Sequence, residues 1–134
     1  MNDIGQTTIE LLLVLGISMV ALAIIYALYA EQVNSANEIN NIFVAKSSVQ
    51  KIVTAANTVY LSGSGSEIKV EIEIPLAAVL SDSGIIGQTV FMSVAGNSEA
   101  IAVADVNIDG SFKTLPGKYV VYMVYDGNVV HMLY

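Results

Sequence analysis

The sequence predicts an α+β protein in which one long N-terminal α-helix packs on a small antiparallel β-sheet head. Three observations predict it. The 20 residues from Leu11 to Ala30 carry no charge, and as a helix they are about 30 Å long, the thickness of a bilayer core. From Val33 to Val59 apolar residues recur at spacings of three and four, the period of a helix with one apolar stripe. From Glu67 onward the period becomes two and turn-forming residues punctuate the chain, as in short strands.

No proline precedes Pro75, so one unbroken helix is expected from about Thr7 to Tyr60, roughly 80 Å long. Its first half is apolar all round and belongs in lipid or among other apolar helices. Its second half carries the stripe Val33, Ala36, Ile39, Ile42, Phe43, Val49, Ile52, Val53, Ala56 and Val59, which calls for a domain to cover it. Leu61-Ser62-Gly63-Ser64-Gly65-Ser66 reads as a short flexible joint whose two glycines stop the helix. The helix segment is thus residues 6–61 and the head residues 67–134.

Within the head, Glu67, Lys69, Glu71 and Glu73 alternate with Ile68, Val70, Ile72 and Ile74, a strand with one wet and one buried face. Leu76 to Leu80 reads as a short helical turn. Further strands are expected at Thr89 to Ala95, Glu99 to Asp109, Ser111 to Leu115, Tyr119 to Tyr125 and Asn128 to Tyr134. Asp109-Gly110 and Asp126-Gly127-Asn128 have the residue types of hairpin turns. In Tyr119 to Tyr125 both faces are apolar, with Tyr119, Val121, Met123 and Tyr125 on one and Val120, Tyr122 and Val124 on the other, so both want cover.

Composition narrows the function classes. The chain has 134 residues, a formal net charge of −7, 54% hydrophobic residues and no cysteine. Its few cations are all lysine, and the acidic excess argues against a nucleic-acid partner. Without cysteine there is no disulfide framework, thiolate metal site or cysteine nucleophile. With His131 as the single histidine, and with no Gly-x-Ser-x-Gly or Walker-type loop, the parts of a catalytic site are not assembled in the sequence, and neither an enzyme nor a cofactor is expected. No asparagine begins a glycosylation sequon.

The N-terminus reads Met1-Asn2-Asp3-Ile4-Gly5-Gln6-Thr7-Thr8-Ile9-Glu10-Leu11-Leu12-Leu13. It resembles the class III signal peptide of the archaeal type IV pilins, in which a short leader ending in glycine precedes Gln-x-x-x-Glu and an apolar run. The resemblance covers about the first thirty residues. It implies a leader of residues 1–5, cleavage between Gly5 and Gln6 by a prepilin peptidase, and a mature chain in which Glu10 is the fifth residue. Bacterial type IV prepilins are similar through Thr8-Ile9-Glu10-Leu11-Leu12, but they usually begin the mature chain with phenylalanine; Gln6 favours the archaeal group. The leader of that group normally carries lysine or arginine, whereas the first lysine here is Lys46. The positive-inside rule therefore sets no orientation.

A carboxylate at the edge of a bilayer-length apolar segment costs roughly 2–3 kcal/mol or more unless compensated. In the family the compensation is thought to be the new α-amine of an adjacent subunit, so the resemblance implies that Glu10 and Gln6 make the subunit-to-subunit ion pair. It further implies a filament core of Leu11, Leu12, Leu13, Leu15, Ile17, Leu22, Ile24, Ile25 and Tyr26. The expected partners are further copies of the chain in a helical homopolymer, the peptidase and pilus assembly machinery, and the cytoplasmic membrane as home of the precursor. The expected product is an extracellular adhesive filament. Other readings are a membrane-tethered ligand-binding module or minor pilin, and an archaellum filament subunit. Gly16 reads as a small residue that admits a neighbouring helix, and Tyr26 and Tyr29 as interfacial anchors of the precursor.

Asp105-Val106-Asn107-Ile108-Asp109-Gly110 opens like a calcium-binding loop, with Asp105, Asn107 and Asp109 as candidate ligands. The twelfth position of such a loop would be Pro116 rather than a bidentate acid. A strand with these residues on its wet face explains the same pattern. His131, between Val130 and Met132, is assigned a structural role.

Overall fold

The computed structural model describes residues 3–134, with side chains from residue 6 onward. It bears out the fold class: one long N-terminal helix, packed in its C-terminal half against β-sheets, which is a pilin-like architecture. Met1 and Asn2 of the expected leader, and the side chains of residues 1–5, lie outside the described residues. The chain divides into two compact units, Met1–Asn37 and Glu38–Tyr134.

Helix α1 runs Asp3–Ser62. It is uninterrupted because no proline removes a donor and its glycines are confined to Gly5 and Gly16. It stops at Gly63, whose φ of 95° suits glycine. The Gly63 N–H donates to the carbonyls of Val59 and Tyr60, each at 3.2 Å, and so serves orphan carbonyls of the last turn. The joint that follows is tied down, contrary to the flexible segment its serines and glycines predict. Gly65 N–H donates to Tyr125 O at 2.8 Å and Tyr125 N–H to Ser66 O at 3.0 Å. The Tyr60 and Tyr125 rings meet edge to face at 5.4 Å. Glycines leave the backbone open to such bonds; they do not compel motion.

Seven strands follow: β1 (Glu67–Ile74), β2 (Ala78–Ile86), β3 (Thr89–Val94), β4 (Ser98–Val103), β5 (Ile108–Asp109), β6 (Gly117–Tyr125) and β7 (Val130–Leu133). They form a four-stranded sheet in the order β1-β6-β7-β5 and a three-stranded sheet in the order β2-β3-β4. Register is pinned by burial. The β1–β6 ladder pairs Val70 with Val121 and Ile72 with Tyr119, and slipping β1 by one residue would turn Ile72 and Ile74, both essentially fully buried, toward water. The core is one apolar cluster shared by the C-terminal half of α1 (Ala45, Val49, Ile52, Val53, Ala56, Val59) and by both sheets, with Val90, Met92 and Val94 from the smaller one.

Several local expectations are corrected. Leu76 to Leu80 is not a helical turn: Leu76 and Ala77 form a turn and Ala78 already begins β2, which carries no alternation because its pairing with β3 shifts register between Val79 and Gly84. Side chains bridge the irregularity. Ser83 Oγ donates to Val79 O at 2.8 Å and accepts from Ser93 N–H at 2.9 Å, while Ser93 Oγ donates to Asp82 O at 2.8 Å. The expected strand Glu99 to Asp109 is split into β4 and β5, because Ala104 and Val106 turn into the core and Asp105 N–H donates to Asn57 Oδ1 of the helix at 2.8 Å. Asp109-Gly110 is not a hairpin: β5 pairs parallel to β7, Asp109 opposite His131. Ser111 to Leu115 makes no strand, and its backbone is served instead by Tyr134, whose hydroxyl donates to Ser111 O and accepts from Lys113 N–H. Asp126 to Asn128 does form the β6–β7 turn. There Asp126 Oδ1 accepts from the N–H groups of Asn128 and Val129, both at 2.8 Å.

The helix stripe is only partly covered. Ile42 is half-buried and Val49, Ile52, Val53, Ala56 and Val59 are buried, but Ile39 and Phe43 are 68% and 69% exposed. Of the two faces of β6, one is buried and the other, carrying Val120 and Tyr122, remains open.

Candidate assembly site

The residues expected to join subunits all lie in the unit Met1–Asn37. Gln6 and Glu10 are four apart on α1, hence one turn above each other. The structure brings their side chains together: Gln6 Nε2 donates to Glu10 Oε1 at 3.4 Å, in full exposure. The Gly5–Gln6 bond, the expected cleavage junction, lies within the helical backbone.

From Leu11 to Tyr26 the apolar side chains find no cover among the described residues. Leu11, Leu12, Leu13, Leu15, Ile17, Leu22, Ile24, Ile25 and Tyr26 are between 52% and 74% exposed. The segment is long and apolar enough to cross a membrane. Its non-aromatic hydroxyl is already satisfied, since Ser18 Oγ donates to Val14 O at 2.7 Å, so it brings no unpaired donor into an apolar medium. Around Gly16 the helix surface is indented between Leu13, Ile17, Val20 and Ile24, and a Cβ at Gly16 would meet nothing within 4 Å. A second helix could lie close there. Chemically, the unit supplies a bilayer-length apolar rod with a carboxylate at each end, Glu10 before it and Glu31 after it.

In the head, two of the three calcium-like residues make contacts that hold β5 to β7, one of them through its backbone alone. Asn107 O accepts from Val130 N–H at 2.9 Å, and the Asp109 carboxylate lies 3.4 Å from His131 Nδ1. Among the described residues no cluster of three or more His, Cys, Asp or Glu side chains is arranged to hold a metal ion. His131 instead joins three pieces of the fold, with Asp109 of β5 on Nδ1 and Asp126 of the β6–β7 turn 3.1 Å from Nε2. The bond to Asp126 raises the His131 pKa above its ordinary value. Asp126 is drawn down from 3.8 to about 2, chiefly by the backbone N–H groups of Val129 and Asn128 and then by His131. Sequence reading missed this trio because β5 and β7 meet only through a parallel pairing.

A second feature missed from sequence is Ser48, the buried polar side chain of the helix, 2% exposed. Its Oγ donates to Glu73 O at 2.7 Å and accepts from Glu73 N–H at 2.9 Å. Lys51 Nζ donates to Glu71 O at 3.3 Å. Together they cap the outer edge of β1 at Glu71 and Glu73, whose backbone groups would otherwise be open to another strand. No protein-family model, curated protein or solved structure matches the chain.

Proposed function

We propose that the chain is the structural subunit of an extracellular filament of the archaeal type IV pilus kind, adhesive in use, made as a membrane-anchored precursor. One observation carries the reading: a single helix runs from an uncharged, bilayer-length segment with exposed apolar side chains into a folded β-head. Such a segment is stable in two places only, in lipid or among other copies of itself. Moving between the two is what filament assembly requires.

In this reading a prepilin peptidase cuts between Gly5 and Gln6, and an ATP-driven machine draws the cleaved chain out of the bilayer. Cleavage is the switch. It frees an α-amine at Gln6 to meet Glu10 of a neighbouring copy, two charges that compensate each other in a dry bundle and set axial register. Because lipid and neighbouring helices are about equally apolar, close packing and that ion pair supply the preference for the filament. The chain acts as neither an enzyme nor a cofactor carrier.

The test is the intact mass and N-terminal sequence of material sheared from the cell surface. A chain that begins at Gln6 and is released as filaments supports the reading. A chain that begins at Met1 and stays with the membrane replaces it with a tethered head. Glu10→Ala should abolish filaments while the precursor accumulates with a folded head, and normal filaments from that variant would remove Glu10 from the mechanism.

A further inference from the structure

Two of the apolar surfaces that the head unit leaves uncovered differ in charge. The first is a groove of about 720 Å³ along the exposed flank of α1, between the helix and the side chains of Ile68 and Val70 on β1 and Ile101 on β4. Phe43 stands at one end of it, 69% exposed. Lys46 and Lys51 line it, and no carboxylate does. In a chain where acids outnumber lysines by 12 to 5, a groove lined by cations alone is a marked local reversal.

The second surface is the outer face of the four-stranded sheet. The ladder places Tyr122 beside Leu133, and Val120 beside Glu71. Val120, Tyr122 and Leu133 are 40%, 36% and 54% exposed. On this face carboxylates outnumber cations: Glu67, Glu71, Glu73 and Asp109 stand against Lys69 and Lys118, with His131 set beside Asp109. Lys118 is moreover within 3.9 Å of Glu73. An apolar centre inside a charged rim is the make-up of a protein–protein contact surface.

We infer that these two surfaces bind each other, the lysine-lined groove of one copy receiving the glutamate-rimmed sheet face of the next. The sign of the charges selects this pairing. Groove on groove would set Lys46 and Lys51 against their own copies, and face on face would do the same with Glu67 and Glu71, whereas groove on face brings opposite charges around two apolar centres. A contact between two different surfaces of one chain is heterologous, and a heterologous contact that does not close generates a helical array. The inference rests on the filament reading and adds to it where the heads touch.

The absence of cysteine makes the test clean. Gln50→Cys places a thiol in the groove and Val120→Cys one on the sheet face; both side chains are exposed. Filaments carrying both substitutions, oxidised and run without reductant, should give a ladder of dimers, trimers and longer products, while each single variant gives monomer alone. Filaments of the double variant without a ladder, or dimers from a single variant, would overturn the inference. Should the cysteine pair itself prevent assembly, the charges decide. Lys46→Glu should lower filament yield by at least about tenfold, since the same like-charge contact is repeated at every copy along the filament. Adding Glu71→Lys to it should restore the yield, and no restoration would also overturn the inference. Sheared wild-type material keeps the two levels apart: if it contains no filaments, the functional reading fails, whereas wild-type filaments with neither ladder nor charge rescue leave that reading standing and remove the head contact alone.

Discussion

Replacing Ser48 with alanine removes one small hydroxyl and should cost more than its size suggests. Ser48 is essentially buried and its Oγ serves both backbone groups of Glu73, donating to the carbonyl and accepting from the N–H. Each such bond contributes about 0.5–1.5 kcal/mol net, and a partner left unpaired in a partly buried setting costs about 1–3 kcal/mol. The two losses share one residue and one strand edge, so about 2–3 kcal/mol is expected for the pair. For a head unit comprising residues 38–134, that corresponds to a fall in melting temperature of roughly 10–20 °C. The assay is thermal and urea unfolding of the detergent-solubilised chain, followed by near-ultraviolet circular dichroism of its tyrosines. Thr54→Ala is the control, an exposed position on the same helix where a change within about 0.5 kcal/mol is expected. Ser48→Ala should also raise edge-to-edge association, because β1 then offers Glu73 as an open pairing site. If Ser48→Ala melts within 2 °C of the parent, helix capping is not what holds the edge of β1, and apolar packing alone does.

Other expectations follow from the same structure. Ile52→Ala, at a fully buried position on α1, should destabilise the head by about 2–5 kcal/mol in urea titration. Head stability should pass through a plateau in mildly acidic solution. The raised pKa of His131 means its contribution is complete below the ordinary value of 6.5 and is lost as pH rises through the raised one. The lowered pKa of Asp126 means its contribution is complete above 3.8 and is lost as pH falls through about 2. His131→Gln should flatten the alkaline side of a plot of urea midpoint against pH; an unchanged slope would show that the pairing with Asp109 and Asp126 carries no stability. Gly96→Ala should lower the melting temperature, since Gly96 has φ +98° and a left-handed backbone costs other residues about 1–2 kcal/mol.

Much of this molecule was legible in order along the chain. The uncharged run, the end of the helix near Gly63 and strand β1 follow from local rules, because a period of 3.6 or of 2 and a glycine at a helix end act within a few residues. The β6–β7 turn was readable for the same reason, since Asp126 captures the N–H groups of the two residues just after Gly127. The candidate assembly residues were equally local. Glu10 is conspicuous because it precedes a run with no other charge, and Gln6 because it is one helical turn away.

What the sequence did not disclose depends on partners distant along the chain. Strand β2 lacks alternation and contains Ser81 to Gly84, and it is a strand because Ser83 and Ser93 supply bonds that the shifted ladder omits. The joint at Gly63 to Ser66 looked free and is held by Tyr125. Ser111 to Leu115 looked extended and is held by the chain's last residue, Tyr134. Exposure was the hardest quantity to foresee. Phe43 and Val49 belong to one stripe, yet Val49 is 1% exposed and Phe43 69%.

By itself, then, the sequence determined the helix, its bilayer-length apolar segment, the carboxylate at its edge and the existence of a β-head, since each depends on spacing within one or two turns. Only the tertiary structure decided which apolar residues the head covers and which it leaves for something else, and which backbone groups Ser48, Asn57 and Tyr134 serve. The physical reason is that burial and long-range hydrogen bonding are properties of pairs of segments, fixed by which strands lie side by side, and no local pattern encodes that order.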